Sequence, residues 1–298
     1  MADDFLKQLY DFVDGSVRYH LESPDNLKDF LTYLAGMRTD VSMRNKLLTY
    51  GYNPHATDVR TKEAWEKDGF AILDEGAIIY NIQQVPGEKG HYTERVMYDV
   101  SSTDMQPEAF EHFPNAGFFA ERLLMYSPCP VRFSDNPLLD NRRASYNPEK
   151  GIIEVTGGFK SEEHVCYGLL REFSHFYLHE NEMRMIKKEG KDASVEYNRD
   201  RHGIESQAIS YAVCSRYGIE LPKLDVVHPP EGKPQDLMRI LEGMDYSLQR
   251  ISKLIEEGGA QQRRFLARMK VQIRRQRKWT TSRETGFRNE EVDYVIAA

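Results

Sequence analysis

Apolar residues recur at helical spacing from the start of the chain, with Phe5, Leu9, Phe12 and Val13 followed by Leu27, Phe30, Leu31 and Leu34. Ser23-Pro24-Asp25 interrupts the pattern with start signals, so two helices are predicted over about residues 3–37. A short third helix is predicted over residues 42–50, capped by Ser42, and a fourth over 61–68, stopped by Gly69. The period then changes. Residues 77–85 and 94–100 are β-rich and flank the turn Pro86-Gly87-Glu88-Lys89-Gly90, which predicts a hairpin.

Beyond residues 104–114, where Pro107 and Pro114 mark an expected linker, a second helical and hairpin pattern begins. It comprises a helix over 116–126, then strands over 143–146 and 152–155 joined by Asn147-Pro148-Glu149-Lys150-Gly151. Three long helices follow, over about 161–180, 203–217 and 235–257. The last carries Leu237, Leu241, Met244, Leu248 and Ile251 in steps of four and three, a core-facing stripe. Gly258-Gly259 is expected to break it before a basic helix with Phe265, Met269 and Ile273 on one side. The fold class is therefore α+β in three parts: residues 1–106, 115–258 and a basic extension over 259–298.

Composition adds exclusions. No apolar run approaches the roughly 20 residues that span a bilayer. The acidic N-terminus lacks the layout of a signal peptide, and three widely spaced cysteines favour reduced thiols, so a cytoplasmic location is expected. The net charge of −7 does not advertise a nucleic-acid binder as a whole. Its distribution does: eight Lys and Arg residues and no acid occupy residues 263–278, among them Arg264, Arg268, Arg274 and Arg275. Such a segment fits a nucleic-acid backbone, an acidic partner, or a solvated face; its short apolar stripe ranks a membrane surface last, and no membrane partner is expected.

The most chemically pointed stretch is Arg171-Glu172-Phe173-Ser174-His175. In a zinc-peptidase helix, H-E-x-x-H places two histidines on one face to hold Zn²⁺ while the glutamate acts as general base on the bound water. Here Glu172 and His175 take the base and second-ligand places. Arg171 stands where the first histidine would be, and a guanidinium has no acceptor for a metal. Glu205 opens the next helix at a plausible third-ligand position, and His179 repeats the four-residue spacing from His175, so a shifted site of His175, His179 and Glu205 also fits. The bland alternatives are a capping His179 and a first-turn Glu205 favoured by the helix dipole. A further expectation is that Arg171 fills the metal position by pairing with Glu205.

The order of helix, hairpin, Glu172–His175 helix and the helix opening Glu205-Ser206-Gln207-Ala208 resembles the ImmA/IrrE-type metallopeptidase domain. Its E-x-x-A motif supplies the third ligand, matched here by Glu205 to Ala208. Arg171 departs from the pattern, so the resemblance implies a retained fold with zinc bound weakly or not at all. Upstream, Ser42-Met43-Arg44-Asn45-Lys46-Leu47-Leu48, Asn53-Pro54-His55-Ala56-Thr57, Trp65, Gly69 and Tyr98-Asp99-Val100-Ser101-Ser102-Thr103 form an ordered series. Over about residues 5–105 it resembles the N-terminal domain of ArdC-type antirestriction proteins. That family joins a single-stranded-DNA-binding domain to a zincin-like one; Tyr52 stands where it often has glutamine.

The resemblance implies DNA contacts from Arg44, Asn45, Lys46, Lys62 and Trp65, together with the basic segment. Residue chemistry alone leaves this open. Asp58, Glu63, Glu66 and Asp68 nearly cancel the local cations, Trp65 and Tyr80 also suit a core, and Asn45 also suits a hydrogen bond to a neighbouring turn. The expected function is single-stranded DNA binding for a mobile genetic element, in antirestriction or conjugation. The alternatives are a metal-dependent peptidase that cleaves a regulator, with Glu172 as base, and a pseudoenzyme that uses the groove to bind a protein partner.

Overall fold

The computed structural model describes residues 2–107, 112–135, 142–190, 199–200, 202–220 and 232–283, with side chains described only from Asp4 to Gly258. Eight helices and six strands lie among the described residues, an α+β fold. The chain divides into two compact units, Met1–Ile255 and Glu256–Ala298.

Local chemistry sets most helix starts. Helix α1 is Ala2–Glu22 and α2 is Pro24–Gly36, where Ser23 Oγ accepts the Asn26 N–H and Pro24 opens the first turn. Ser42 caps α3 (Met43–Tyr52), Thr61 caps α4 (Lys62–Lys67) and Asn115 caps α5 (Ala116–Met125), each by accepting the N–H three residues on. Helix α6 is Glu162–Lys188, α7 is Gly203–Arg216 and α8 is Pro234–Arg283. Helix α6 outruns its expected end because residues 181–188 contain no breaker; Gly190, at φ 69°, lies just beyond it. Helix α8 likewise runs through Gly258-Gly259. Each glycine costs about 1 kcal/mol against alanine, which weakens a helix without ending it.

Strand β1 (Val59–Arg60), β2 (Ile79–Gln84) and β3 (Tyr92–Asp99) form an antiparallel sheet in the order β1-β3-β2, with Ile79 opposite Met97 and Gln84 opposite Tyr92. The second sheet, β4-β6-β5, contains the expected hairpin of β5 (Ala144–Asn147) and β6 (Ile152–Thr156). The sequence pattern did not announce β4 (Val131–Ser134), which lies parallel to β6. Four residues with mixed exposure are too short to show a strand period.

The expected division between residues 106 and 115 does not separate two cores. One buried cluster runs from Leu9 and Phe30 through Phe119, Ile153 and Phe173 to Ile255. It takes in the α8 stripe of Leu237, Leu241, Met244, Leu248 and Ile251. Lys46 on α3 fastens this core with a buried ion pair to Asp245 on α8, Nζ to Oδ2 2.7 Å. The motif series at residues 42–105 and the Glu172–His175 helix thus belong to the same compact unit.

Candidate functional site

Helix α6 is nearly surrounded where the candidate chemistry lies: Glu172, Phe173, Ser174 and His175 are all buried in sequence. A helix that exposes only one face would not bury four consecutive residues; the edge strand β5 and helix α7 cover the remaining sides.

Glu172 faces β5 and is 2% exposed. Its Oε2 accepts the Tyr146 N–H at 2.7 Å, a donor that an edge strand leaves without a ladder partner. Its Oε1 accepts Arg199 Nη2 at 2.5 Å. The carboxylate expected to be a general base is therefore ion-paired and hydrogen-bonded at both oxygens.

One turn on, His175 has no exposed surface, and its Nε2 lies 3.2 Å from Ser206 Oγ on α7. That hydroxyl also lies 3.0 Å from Gly203 O, to which it can donate while it accepts from His175 Nε2. Burial, and then the charges of Arg199, Arg171, His202 and Arg142, push the His175 pKa from 6.5 down to about 2. A lowered folded-state value means that the unfolded chain binds the proton more readily below about pH 6.5, so stability present at neutral pH is lost on acidification. Between pH 7 and pH 5 this one group should remove about 2 kcal/mol. Urea unfolding at the two pH values will read it. His175→Gln, which keeps an N–H for Ser206, should remove that part of the pH dependence; an unchanged profile would contradict the assignment.

Glu205 turns to its own helix start. Its Oε2 lies 2.6 Å from His202 Nδ1, and His202 Nε2 is 3.4 Å from Glu182 Oε2 on α6, so the imidazole bridges the two helices. Burial alone would lower the His202 pKa, but the hydrogen bond and charge of Glu205, followed by Glu182, raise it. These three residues border a cleft of about 360 Å³ among α6, α7 and α8 that also touches Asp236, Arg239 and Glu242. His179 does not line this cleft; its Nδ1 is 3.4 Å from Tyr146 Oη, and the charges of Glu182 and His202 both act on it.

No ion pair joins Arg171 to Glu205 among the described residues, which corrects that expectation: Glu205 is taken by His202, three residues before it. Arg171 Nε is buried without a hydrogen-bond partner, as are Arg199 Nε and Nη1. These orphaned donors sit on cations, which disfavour a second cation nearby. Among the described residues, no group of three or more His, Cys, Asp or Glu side chains is placed to hold a metal ion. His175, Glu205 and His179 thus each have another partner, and the residues present do not fit zinc.

The expected DNA contacts divide sharply. Trp65 has no exposed surface, and its Nε1 donates to Tyr98 O at 3.0 Å. Asn45 reads the backbone of Ile82 in both directions, Nδ2 to O at 3.0 Å and Oδ1 from N at 2.8 Å, which ties α3 to β2. Lys46 is buried against Asp245. Lys62 is half-exposed and paired with Glu75, and exposed Arg44 lies over the Tyr10 ring, 5.7 Å from its centroid. The side chains of Arg264, Arg268, Arg274 and Arg275 lie outside the described residues, on the backbone of α8. Arg199, Ser206, His202 and Tyr146 were not singled out from sequence. The spacing of His202 and Glu205 at a helix start carried a signal, whereas nothing local connects Arg199 to Glu172.

No family model matches this sequence, and no curated protein does. Among solved structures, the Mn(II)-bound antirestriction protein ArdC of plasmid R388 aligns with 74% of this chain and 85% of its own, at 15% identity and a TM-score of 0.39. The chain is similar to ArdC. The metal-free form of the R388 protein aligns with 85% of this chain and 97% of its own, at 13% identity and a TM-score of 0.40. The manganese is that of the R388 ArdC crystal, and the geometry around Glu172 and His175 is described above for this chain on its own terms. No described helix is long and apolar enough to cross a membrane.

Proposed function

We propose that this protein binds single-stranded DNA in the service of a mobile genetic element, in antirestriction or during conjugative transfer, and that its Glu172–His175 helix is a scaffold rather than a peptidase centre. The observation that carries the binding half is the segment 263–278, where eight cations and no acid lie within α8. A single strand offers a matching row of phosphates, and each one neutralised releases counterion. The ordered motif series from Ser42 to Thr103 supports the same reading.

The scaffold half rests on the Arg199–Glu172 pair. A general base must be free to take a proton, and Glu172 is committed at both oxygens. This favours a pseudoenzyme over a metal-dependent peptidase, with the cleft beside His202 and Glu205 as the place where a protein partner would dock.

The test is the salt dependence of binding to a labelled oligothymidine. The logarithm of affinity should fall with the logarithm of salt at about −0.7 per phosphate contacted. Replacing the eight cations of residues 263–278 by glutamine, which keeps helix propensity, should flatten the slope by roughly five and weaken low-salt binding on the order of a hundredfold. An unchanged slope, or no binding by the unaltered chain at low salt, would overturn the reading.

A further inference from the structure

Apart from the α6–α7–α8 cleft, the protein has a pocket of about 510 Å³ between α2 and the loop that follows α3. Its walls are the rings of Tyr33, Tyr50 and Pro54, and Asp29, Thr32 and His55 line it with them. Tyr33 and Tyr50 meet edge to face at 67°, with centroids 5.0 Å apart. Tyr50 is also held edge-on by His20 and Phe30. The loop is equally fixed: Asn53 Oδ1 accepts the His55 N–H at 3.0 Å, and Thr57 N donates to Asp99 Oδ1 at 2.8 Å. The pocket is thus preformed by the Asn53-Pro54-His55-Ala56-Thr57 run, for which the sequence suggested no task.

Asp29 and His55 are exposed at this pocket and Thr32 is half-buried in it. Flat apolar walls with a carboxylate, a hydroxyl and an imidazole are the equipment that receives one planar heterocycle. A carboxylate accepts two parallel N–H bonds. Of the four DNA bases, only guanine presents two adjacent donors, N1–H and N2–H, on its pairing edge, while its O6 and N7 can accept from the hydroxyl or the imidazole.

We propose that this pocket captures a single unstacked guanine of a DNA strand, with Asp29 selecting the base. The proposal rests on the single-strand reading above and adds sequence preference to it. Backbone charge holds the strand without reading it, and Asp29 reads one base.

The experiment uses the full chain and three probes: oligothymidine, the same oligomer with one central dG, and deoxyguanosine alone. The dG oligomer should bind about tenfold more tightly than oligothymidine. Asp29→Asn, an exposed position where folding should be unaffected, should erase that preference and leave oligothymidine affinity unchanged. His55→Ala should weaken the preference in part. If oligothymidine binds but dG confers nothing, or if Asp29→Asn keeps the preference, the pocket proposal fails while the single-strand reading stands. If neither oligomer binds at low salt, the single-strand reading fails. The pocket is then judged by titration with deoxyguanosine and with acetylarginine amide, whose guanidinium also offers paired donors. Asp29-dependent binding of deoxyguanosine supports the pocket, and binding of the arginine probe alone, or of neither, overturns it.

Discussion

Asp245→Asn is expected to destabilise the protein by about 3 kcal/mol. Lys46 Nζ lies 2.9 and 2.7 Å from the two Asp245 oxygens, and the lysine is 1% exposed. Taking an ammonium group out of water is tolerable only while the carboxylate answers it. An amide in that place leaves a buried charge with half its interaction. The pair also joins helices 199 residues apart in sequence, so its loss loosens α8 from α3. A urea titration will read the loss as a lower midpoint. The double substitution Lys46→Met, Asp245→Leu should recover most of the stability, because two well-packed apolar side chains need no partner. A loss below about 1 kcal/mol for Asp245→Asn would mean that water screens the pair and that it behaves as a surface bridge.

Glu172→Gln is the second large effect, and it separates scaffold from enzyme. In a peptidase the same change would remove hydrolysis and leave the fold intact. Here the amide oxygen can still take the Tyr146 N–H, but the amide nitrogen meets Arg199, a donor facing a donor. Arg199 already has Nε and Nη1 buried without partners, so its charge would lose its one answering carboxylate among the described residues. The expected cost is about 3 kcal/mol, visible as a lower thermal midpoint. A variant as stable as the parent, in a protein that also holds one equivalent of zinc by elemental analysis, would restore Glu172 as a general base.

Local patterns were legible wherever they depend on neighbours in sequence. Ser23, Ser42 and Thr61 cap the helices they were expected to start, and the four-three stripe of α8 is buried from Leu237 to Ile251. Gly258-Gly259 misled because a glycine pair weakens a helix without supplying the turn that ends one. Three of the candidate DNA contacts have partners that the sequence did not reveal. A lysine, an asparagine and a tryptophan in one segment suit a nucleic acid by type. Lys46, Asn45 and Trp65 are instead committed to Asp245, Ile82 and Tyr98, partners 33 to 199 residues away.

The Glu172–His175 helix shows where the line falls. Its sequence by itself determined a helix, the one-turn spacing of the two side chains, and the presence of Arg171 at the first-ligand position, since all three follow from the order of residues and a period of 3.6. Only the tertiary structure decided what those side chains do. Arg199 arrives from beyond the end of α6 to neutralise Glu172, Ser206 takes His175 from α7, and His202 claims Glu205. Such pairings are set by which buried charges and donors the packing brings within about 3 Å, where desolvation makes an unanswered group costly. No local pattern carries that information.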